Sequence, residues 1–196
     1  MATTSTRVEP KTDSELVTAA LRFARRVHLG QYRKQTYEQF VEHPIAVARL
    51  LSEQGLDGPV MAAAYLHDVV EKTPVTLEEL GERFGPEVAS IVGALSEDSE
   101  VEGYAARKRG LRRRVLESEH TVVLIYAADR AANVRDWTMV APDGREDCAA
   151  RLGTDLGERL QLWDEDLEEL AGYDPELPFL ADFEDALRAL KAEAPA

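Results

Sequence analysis

Apolar side chains recur at every third or fourth position through most of this chain. In the first such segment, four of them share one face of a helix: Leu16, Ala20, Phe23 and Val27. Asp13 stands where a capping side chain would begin this helix, and Gly30 is typical of a helix end. The mostly polar residues 1–12 are predicted to form a disordered leader.

Capping residues and helix breakers divide the rest of the chain into further helical segments. Pro44 suits the first turn of a second helix, and Pro74 disfavours helix at the residue before it. Helices are predicted over residues 44–54, 57–72, 76–84, 86–95, 104–119, 121–137, 146–170 and 179–191. No segment alternates apolar and polar residues as a strand does. The predicted fold is all-α, a compact helical bundle in a single domain over residues 13–192.

Composition narrows the functional classes. A formal net charge of −14 argues against nucleic acid as a partner, and no apolar run has the length of a membrane span. The single Cys148 cannot form an internal disulfide and no apolar leader follows Met1, so a cytoplasmic location is expected. Basic residues cluster within 107–114, which indicates either a solvated helix face or a nearby anionic substrate.

The helix predicted over residues 57–72 is apolar, yet it carries charged side chains near its C-terminal end. His67 and Glu71 are four residues apart, as are Asp68 and Lys72, so each pair shares a helix face. Burying such groups costs several kcal/mol unless they are paired or bind a metal. We interpret the cluster as one half of a metal site.

A second unexpected carboxylate, Asp129, falls on the apolar stripe of the helix predicted over residues 121–137, with Asn133 one turn further along. Taken alone, Asp129 fits a salt bridge to an arginine as well as it fits a metal site. The candidate ligands are two imidazoles and two carboxylates: His43, His67, Asp68 and Asp129. Nitrogen and oxygen donors without a thiolate suit Mn, Fe or another divalent ion better than structural zinc. His28 and His120 are interpreted as structural.

The order of a histidine, a His-Asp pair and a distant aspartate resembles that of the HD-domain phosphohydrolases. Four segments narrow the resemblance to the hydrolase domain of RelA/SpoT proteins, and most closely to the single-domain small alarmone hydrolases. These segments are residues 28–34, 43–48, 66–71 and 128–133. The similarity includes residues 76–88 and the basic stretch after Tyr104, and it spans about residues 14–140.

This resemblance implies an HD-type helical bundle that binds one Mn²⁺. The implied ligands are His43, His67, Asp68 and Asp129. Members of the family remove the 3′-pyrophosphate from the guanosine alarmones ppGpp and pppGpp, so the implied partner is a small-molecule nucleotide substrate. The implied substrate-binding residues are Arg33, Lys34, Lys108, Arg109 and Asn133.

The sequence departs from the family pattern directly after Glu71. The family has a Glu-Asp pair credited with positioning or activating the attacking water, whereas this chain has Lys72 in place of the aspartate. Glu71 and Lys72 are the candidate catalytic residues. Lys72 could point away from the pocket and leave a slower hydrolase, donate to a phosphate of a different nucleotide, or disable hydrolysis and leave a metal- and nucleotide-binding module. Further departures are Phe40, Tyr126 and Ala132.

The segment after Asp143 is acidic and amphipathic, and it forms a predicted helical extension over residues 145–192. Its apolar side chains at near-helical spacing are Leu152, Leu156, Leu160, Trp163 and Leu167. This stripe indicates either packing against the core or the interface of a homo-oligomer.

Overall fold

The computed structural model describes residues 12–193, so residues 1–11 of the leader predicted over residues 1–12 lie outside the described part of the chain. Residues 12–193 contain no β-strand, only an isolated bridge between Tyr32 and Gln39. The helices are α1 (Asp13–Val27), α2 (Glu42–Glu53), α3 (Gly58–Leu66), α4 (Val69–Lys72), α5 (Leu77–Phe84), α6 (Pro86–Leu95), α7 (Tyr104–Leu116), α8 (His120–Thr138), α9 (Arg145–Arg151), α10 (Leu156–Tyr173) and α11 (Leu180–Ala192), with a 3₁₀ turn at Pro142–Gly144. The predicted all-α fold is confirmed.

Helices α1 and α2 begin earlier than the sequence pattern predicts. The cap of α1 is Thr12 rather than Asp13, because the Thr12 side chain accepts the backbone N–H of Glu15 at 3.2 Å. Asp13 therefore lies in the first turn, where a carboxylate still suits the positive end of the helix. Helix α2 begins at Glu42, which places His43 within its first turn rather than in front of it.

The central helix is interrupted, contrary to the single helix predicted over residues 57–72. Helix α3 ends at Leu66, and the short α4 begins after a turn at His67 and Asp68. Both turn residues keep right-handed helical dihedrals, and the N–H of Lys72 donates to the carbonyl oxygen of Asp68 at 3.0 Å. The side chains on either side of the break therefore point in nearly the directions that one continuous helix would give them.

The prediction of one long helix over residues 146–170 is also wrong, because two helices, α9 and α10, occupy this segment. Gly153 separates them at φ +71, a left-handed conformation that glycine adopts without steric cost. Asp155 then caps α10 by accepting the N–H of Glu158 at 2.9 Å. A capping aspartate two residues after a glycine is the signal for this break.

The core is centred on α3 and α8. Helix α3 packs against α1, α2, α6 and α8, and its small side chains are almost fully buried. Helix α8 packs against α2 and α11 and is buried over most of its length. Alanines let neighbouring helices approach α3 closely, so polar side chains at its end are carried into the interior.

The C-terminal stripe packs against this core. Leu156 and Trp163 are buried, and the Trp163 ring meets that of Trp137 edge-on with 5.8 Å between ring centroids. Leu152, Leu160 and Leu167 are partly buried against the same core. In the described residues, no helix is both long enough and apolar enough to cross a membrane.

Candidate metal centre

Three parts of the fold bring the predicted ligands together. His43 comes from the first turn of α2 and Asp129 from the middle of α8. His67 and Asp68 come from the turn between α3 and α4. Within residues 12–193, His43, His67 and Asp129 form a buried group whose potential ligand atoms lie within 4.8 Å of one another. Asp68 Oδ2 lies 3.5 Å from His67 Nε2 and 3.9 Å from His43 Nε2, so all four side chains converge.

The ring of His67 is oriented by its own helix. Its Nδ1 lies 2.8 Å from the carbonyl oxygen of Ala64, the geometry of an N–H donated to the backbone. A neutral imidazole protonated on Nδ1 has a lone pair on Nε2. This Nε2 is buried without a hydrogen-bond partner in the described part of the chain, and it lies 3.6 Å from Asp129 Oδ1. The residues present therefore fit a bound divalent cation.

The carboxylates around this cluster favour positive charge. Burial alone would lower the pKa of His67, but Asp68 and Asp129 raise it to about 9. Burial would likewise raise the pKa of Asp129, but Arg130 and His43 hold it well below its usual range. Carboxylates that favour the protonated imidazole also favour a bound cation, which would take the place of the Nε2 proton.

Asp129 contacts both the histidine cluster and an arginine. Its Oδ1 lies 2.8 Å from His43 Nε2 and accepts a hydrogen bond from Asn133 Nδ2 at 2.7 Å. Its Oδ2 is paired with the guanidinium of Arg130. One oxygen therefore faces the histidines while the salt bridge fixes the orientation of the carboxylate.

Helix α10 supports Arg130 from the side away from the metal cluster. Asp166 is buried, and its Oδ2 lies 3.8 Å from Arg130 Nη1. Its Oδ1 accepts hydrogen bonds from Tyr126 Oη and Arg112 Nη1, each at 2.8 Å. Tyr126, where the sequence departs from the family pattern, thus belongs to a buried network that connects the C-terminal extension with Asp129.

A cavity of about 460 Å³ opens beside the cluster of candidate metal ligands. It is lined by four of the five predicted substrate-binding residues: Arg33, Lys34, Lys108 and Asn133. Arg33 Nη2 donates to Asn133 Oδ1 at 2.9 Å, which links the loop after α1 to α8. The cavity therefore combines the metal cluster with positively charged and amide side chains, a combination suited to a phosphorylated ligand.

The basic residues of α7 divide between two faces of the helix. Arg107 and Lys108 line the cavity, where they lie 3.0 and 2.5 Å from the carboxylate of Glu97. Arg109 instead faces α10, with Nη2 2.6 Å from Glu165 Oε1. Successive helical residues point about 100° apart, so neighbours in sequence diverge in this way. The structure places Arg109 outside the cavity, although the sequence pointed to it, and places Arg107 inside.

The candidate water-activating side chains are already engaged. Glu71 Oε1 accepts the backbone N–H of Glu97 at 2.7 Å, and Glu71 Oε2 lies 3.4 Å from Lys72 Nζ. Burial lowers the pKa of Lys72, but Asp68 and Glu71 outweigh it and raise the pKa above its usual value. Lys72 lines the cavity beside Glu71, and 44% of its side chain is exposed.

Sequence reasoning missed two acidic residues beside the site. Asp136 lies seven residues after Asp129, on the same face of α8, and its Oδ2 is 2.8 Å from Arg33 Nη2. That spacing could have identified it. Glu97 follows the end of α6, where no periodicity indicated its approach to Arg107 and Lys108.

The fold and the site define a class: an all-α protein with a buried histidine–carboxylate cluster beside a cationic cavity. Residues 20–156 match the family model of the HD domain, and the chain belongs to this family. The resemblance inferred from the sequence motifs is thereby confirmed.

Relatives with assigned activities show where this similarity is concentrated. The chain is 39% identical over 127 residues to a guanosine-3′,5′-bis(diphosphate) 3′-pyrophosphohydrolase of Haemophilus influenzae, covering 62% of this chain and 19% of that protein. It is 36% identical over 137 residues to a probable GTP pyrophosphokinase of Mycobacterium leprae, covering 68% of this chain and 17% of the relative. The chain thus spans about a fifth of the length of these relatives.

A solved structure resembles the chain over nearly its whole length. The structure of a metazoan SpoT ortholog, described as hydrolysing ppGpp, superposes with a TM-score of 0.72 at 26% sequence identity. The alignment covers 88% of this chain and 94% of that protein. The similarity therefore extends beyond the motif-bearing region into the C-terminal extension.

Proposed function

We propose that this chain hydrolyses the 3′-pyrophosphate of the guanosine alarmones ppGpp and pppGpp with the help of a bound Mn²⁺. The observation that carries the proposal is the buried Nε2 of His67, which has no hydrogen-bond partner among the described residues and lies within a cluster of carboxylates beside a cavity with cationic walls. The names of the Haemophilus influenzae relative and of the metazoan SpoT structure support the choice of substrate.

The proposed metal ligands are the four converging side chains: His43, His67, Asp68 and Asp129. When bound, a divalent ion lowers the pKa of a water and stabilises charge on a phosphoryl oxygen. Glu71 is the proposed acceptor of the water proton, because its carboxylate lines the same cavity. To serve as a base, Glu71 must free an oxygen from Lys72 or from the N–H of Glu97.

The substrate side is assigned to the basic and amide groups of the cavity. Arg33, Lys34 and Asn133 are proposed to hold the nucleotide, and Lys108 the phosphates. Lys108 is bound to Glu97, so an incoming phosphate competes with that carboxylate. Charge-assisted bonds from these groups would offset locally the net charge of −14, which otherwise repels an anion.

A second candidate function follows from the contacts of Glu71. Both of its oxygens have partners, and Lys72 adds a positive charge where the family has a carboxylate. These contacts favour a protein that binds metal and nucleotide but hydrolyses the nucleotide slowly or not at all. Turnover of a different phosphorylated nucleotide is the third alternative, in which Lys72 donates to a phosphate. A cytoplasmic location is proposed with each of them.

Metal analysis and turnover on one preparation distinguish these functions. Purified protein loaded with Mn²⁺ is expected to release pyrophosphate from ppGpp, and Asp129→Ala is expected to abolish the release. Saturable ppGpp binding without turnover would favour the binding module, and turnover of GTP or other nucleotides but not ppGpp would favour the third alternative. Absence of both Mn²⁺ binding and stabilisation by ppGpp would contradict the hydrolase.

A further inference from the structure

The two histidines of the metal cluster differ in what their second ring nitrogen contacts. His67 Nδ1 lies 2.8 Å from the Ala64 carbonyl oxygen, which fixes its tautomer from within α3. His43 Nδ1 is buried and has no hydrogen-bond partner in the described range 12–193. Asp136 Oδ2 lies 4.0 Å from this nitrogen.

We propose that Asp136 is a positioning residue that accepts the Nδ1–H of His43 and thereby leaves His43 Nε2 as a lone pair for the divalent ion. This inference rests on the metal site of the proposed function. It does not require that ppGpp be the substrate.

In this structure His43 Nε2 lies 2.8 Å from Asp129 Oδ1, a contact in which Nε2 donates its proton and Nδ1 needs no acceptor. A cation bound at Nε2 would take the place of that proton, and the chemistry of the imidazole then requires an acceptor at Nδ1. A neutral ring carries its proton on one nitrogen, so a His43 that binds a cation through Nε2 must carry the proton on Nδ1. A buried N–H without an acceptor is unfavourable, and metal-binding histidines generally donate this proton to a carboxylate, a carbonyl or a water. A shift of about 1 Å in the Asp136 side chain would bring its 4.0 Å contact to hydrogen-bond length.

Asp136 also connects His43 to the substrate side of the cavity. The same Oδ2 lies 2.8 Å from Arg33 Nη2, and Arg33 Nη2 also donates to Asn133 Oδ1 at 2.9 Å. Arg33 is buried, so its guanidinium holds the carboxylate on the His43 side of α8. A nucleotide that contacts Arg33 would therefore change how Asp136 is held and, through it, the hydrogen-bond acceptor of His43 Nδ1.

A simpler role for Asp136 would be to anchor Arg33 alone, and Mn²⁺ affinity distinguishes the two roles. Asp136→Leu removes the acceptor for both His43 and Arg33, whereas Arg33→Met removes the Arg33 contact and keeps the acceptor. We expect Asp136→Leu to weaken Mn²⁺ binding by about 10- to 100-fold, measured by isothermal titration calorimetry. We expect Arg33→Met to bind Mn²⁺ at least as tightly as the wild type. Asp136→Asn keeps an acceptor oxygen and should recover most of the lost affinity.

Wild-type affinity for Mn²⁺ in Asp136→Leu, or equal losses in Asp136→Leu and Arg33→Met, would overturn the inference. A second measurement does not depend on the folding of a variant. With diamagnetic Zn²⁺ bound to the wild type, the His43 ring should show a protected N–H proton on Nδ1 in ¹⁵N-resolved NMR spectra, and a proton on Nε2 would refute the proposal. Mn²⁺ binding without ppGpp turnover would contradict the proposed hydrolase alone, while a wild type that binds no metal would refute both.

Discussion

The proposed metal end of the cavity, at His43, His67, Asp68 and Asp129, and the proposed water-activating end, at Glu71 and Lys72, differ in how firmly the fold holds their side chains. At the metal end, His67 and Asp129 are buried and are oriented by a backbone carbonyl and by Arg130. At the other end, Glu71 is partly exposed and Lys72 is 44% exposed, and the two pair with each other. The proposed roles of cation binding and water activation fall on different side chains, so variants at the two ends test the two roles separately.

The largest effect on turnover is expected from removing one of the proposed metal ligands. His67→Gln removes a ligand and should reduce Mn²⁺-dependent release of pyrophosphate by about 10³-fold or more, since a bound ion supplies several kcal/mol of charge stabilisation. His28→Gln is the matched control, because His28 is also a buried histidine whose Nε2 has no partner among the described residues. Metal content by mass spectrometry and turnover are measured on both variants. Equal losses in both would show that His67 has no special role.

The next effect concerns the water-activating end. Lys72→Asp restores the family pattern of two carboxylates and frees Glu71 Oε2, so we expect kcat for ppGpp to rise by about 100-fold. Lys72→Met removes the ammonium without adding a carboxylate, and it should give a smaller increase. Steady-state kinetics with saturating Mn²⁺ measure both. If neither variant exceeds the wild type, Lys72 is not what slows the reaction.

The smallest effect concerns the two faces of α7. Lys108→Ala should raise KM for ppGpp about tenfold, the size expected for one charge-assisted hydrogen bond. Arg109→Ala, one residue along, should leave KM unchanged because its guanidinium contacts Glu165 instead of the cavity. A rise in KM for Arg109→Ala equal to that of Lys108→Ala would contradict the division of α7 into a cavity face and a structural face.

The sequence pattern located the buried polar cluster better than it located the helix boundaries. The spacing of His67 and Asp68 after an alanine-rich run was enough to indicate a buried polar cluster, because an apolar helix carries whatever follows it into the core. The break of α3 at these residues was not foreseen. Both residues keep helical dihedrals, so the periodicity that predicts their directions is nearly the same with or without the break.

Residue types and motif order, read from the sequence, determined the all-α fold, the membership in the HD-domain family and the set of candidate ligands. Only the tertiary structure decided that Arg109 turns to α10, that Asp166 supports Arg130, and that Asp136 lies beside His43. Helical periodicity fixes the direction of a side chain around its own axis. Which neighbouring helix that direction meets depends on how the axes pack, and this packing arises from contacts between residues far apart in the chain.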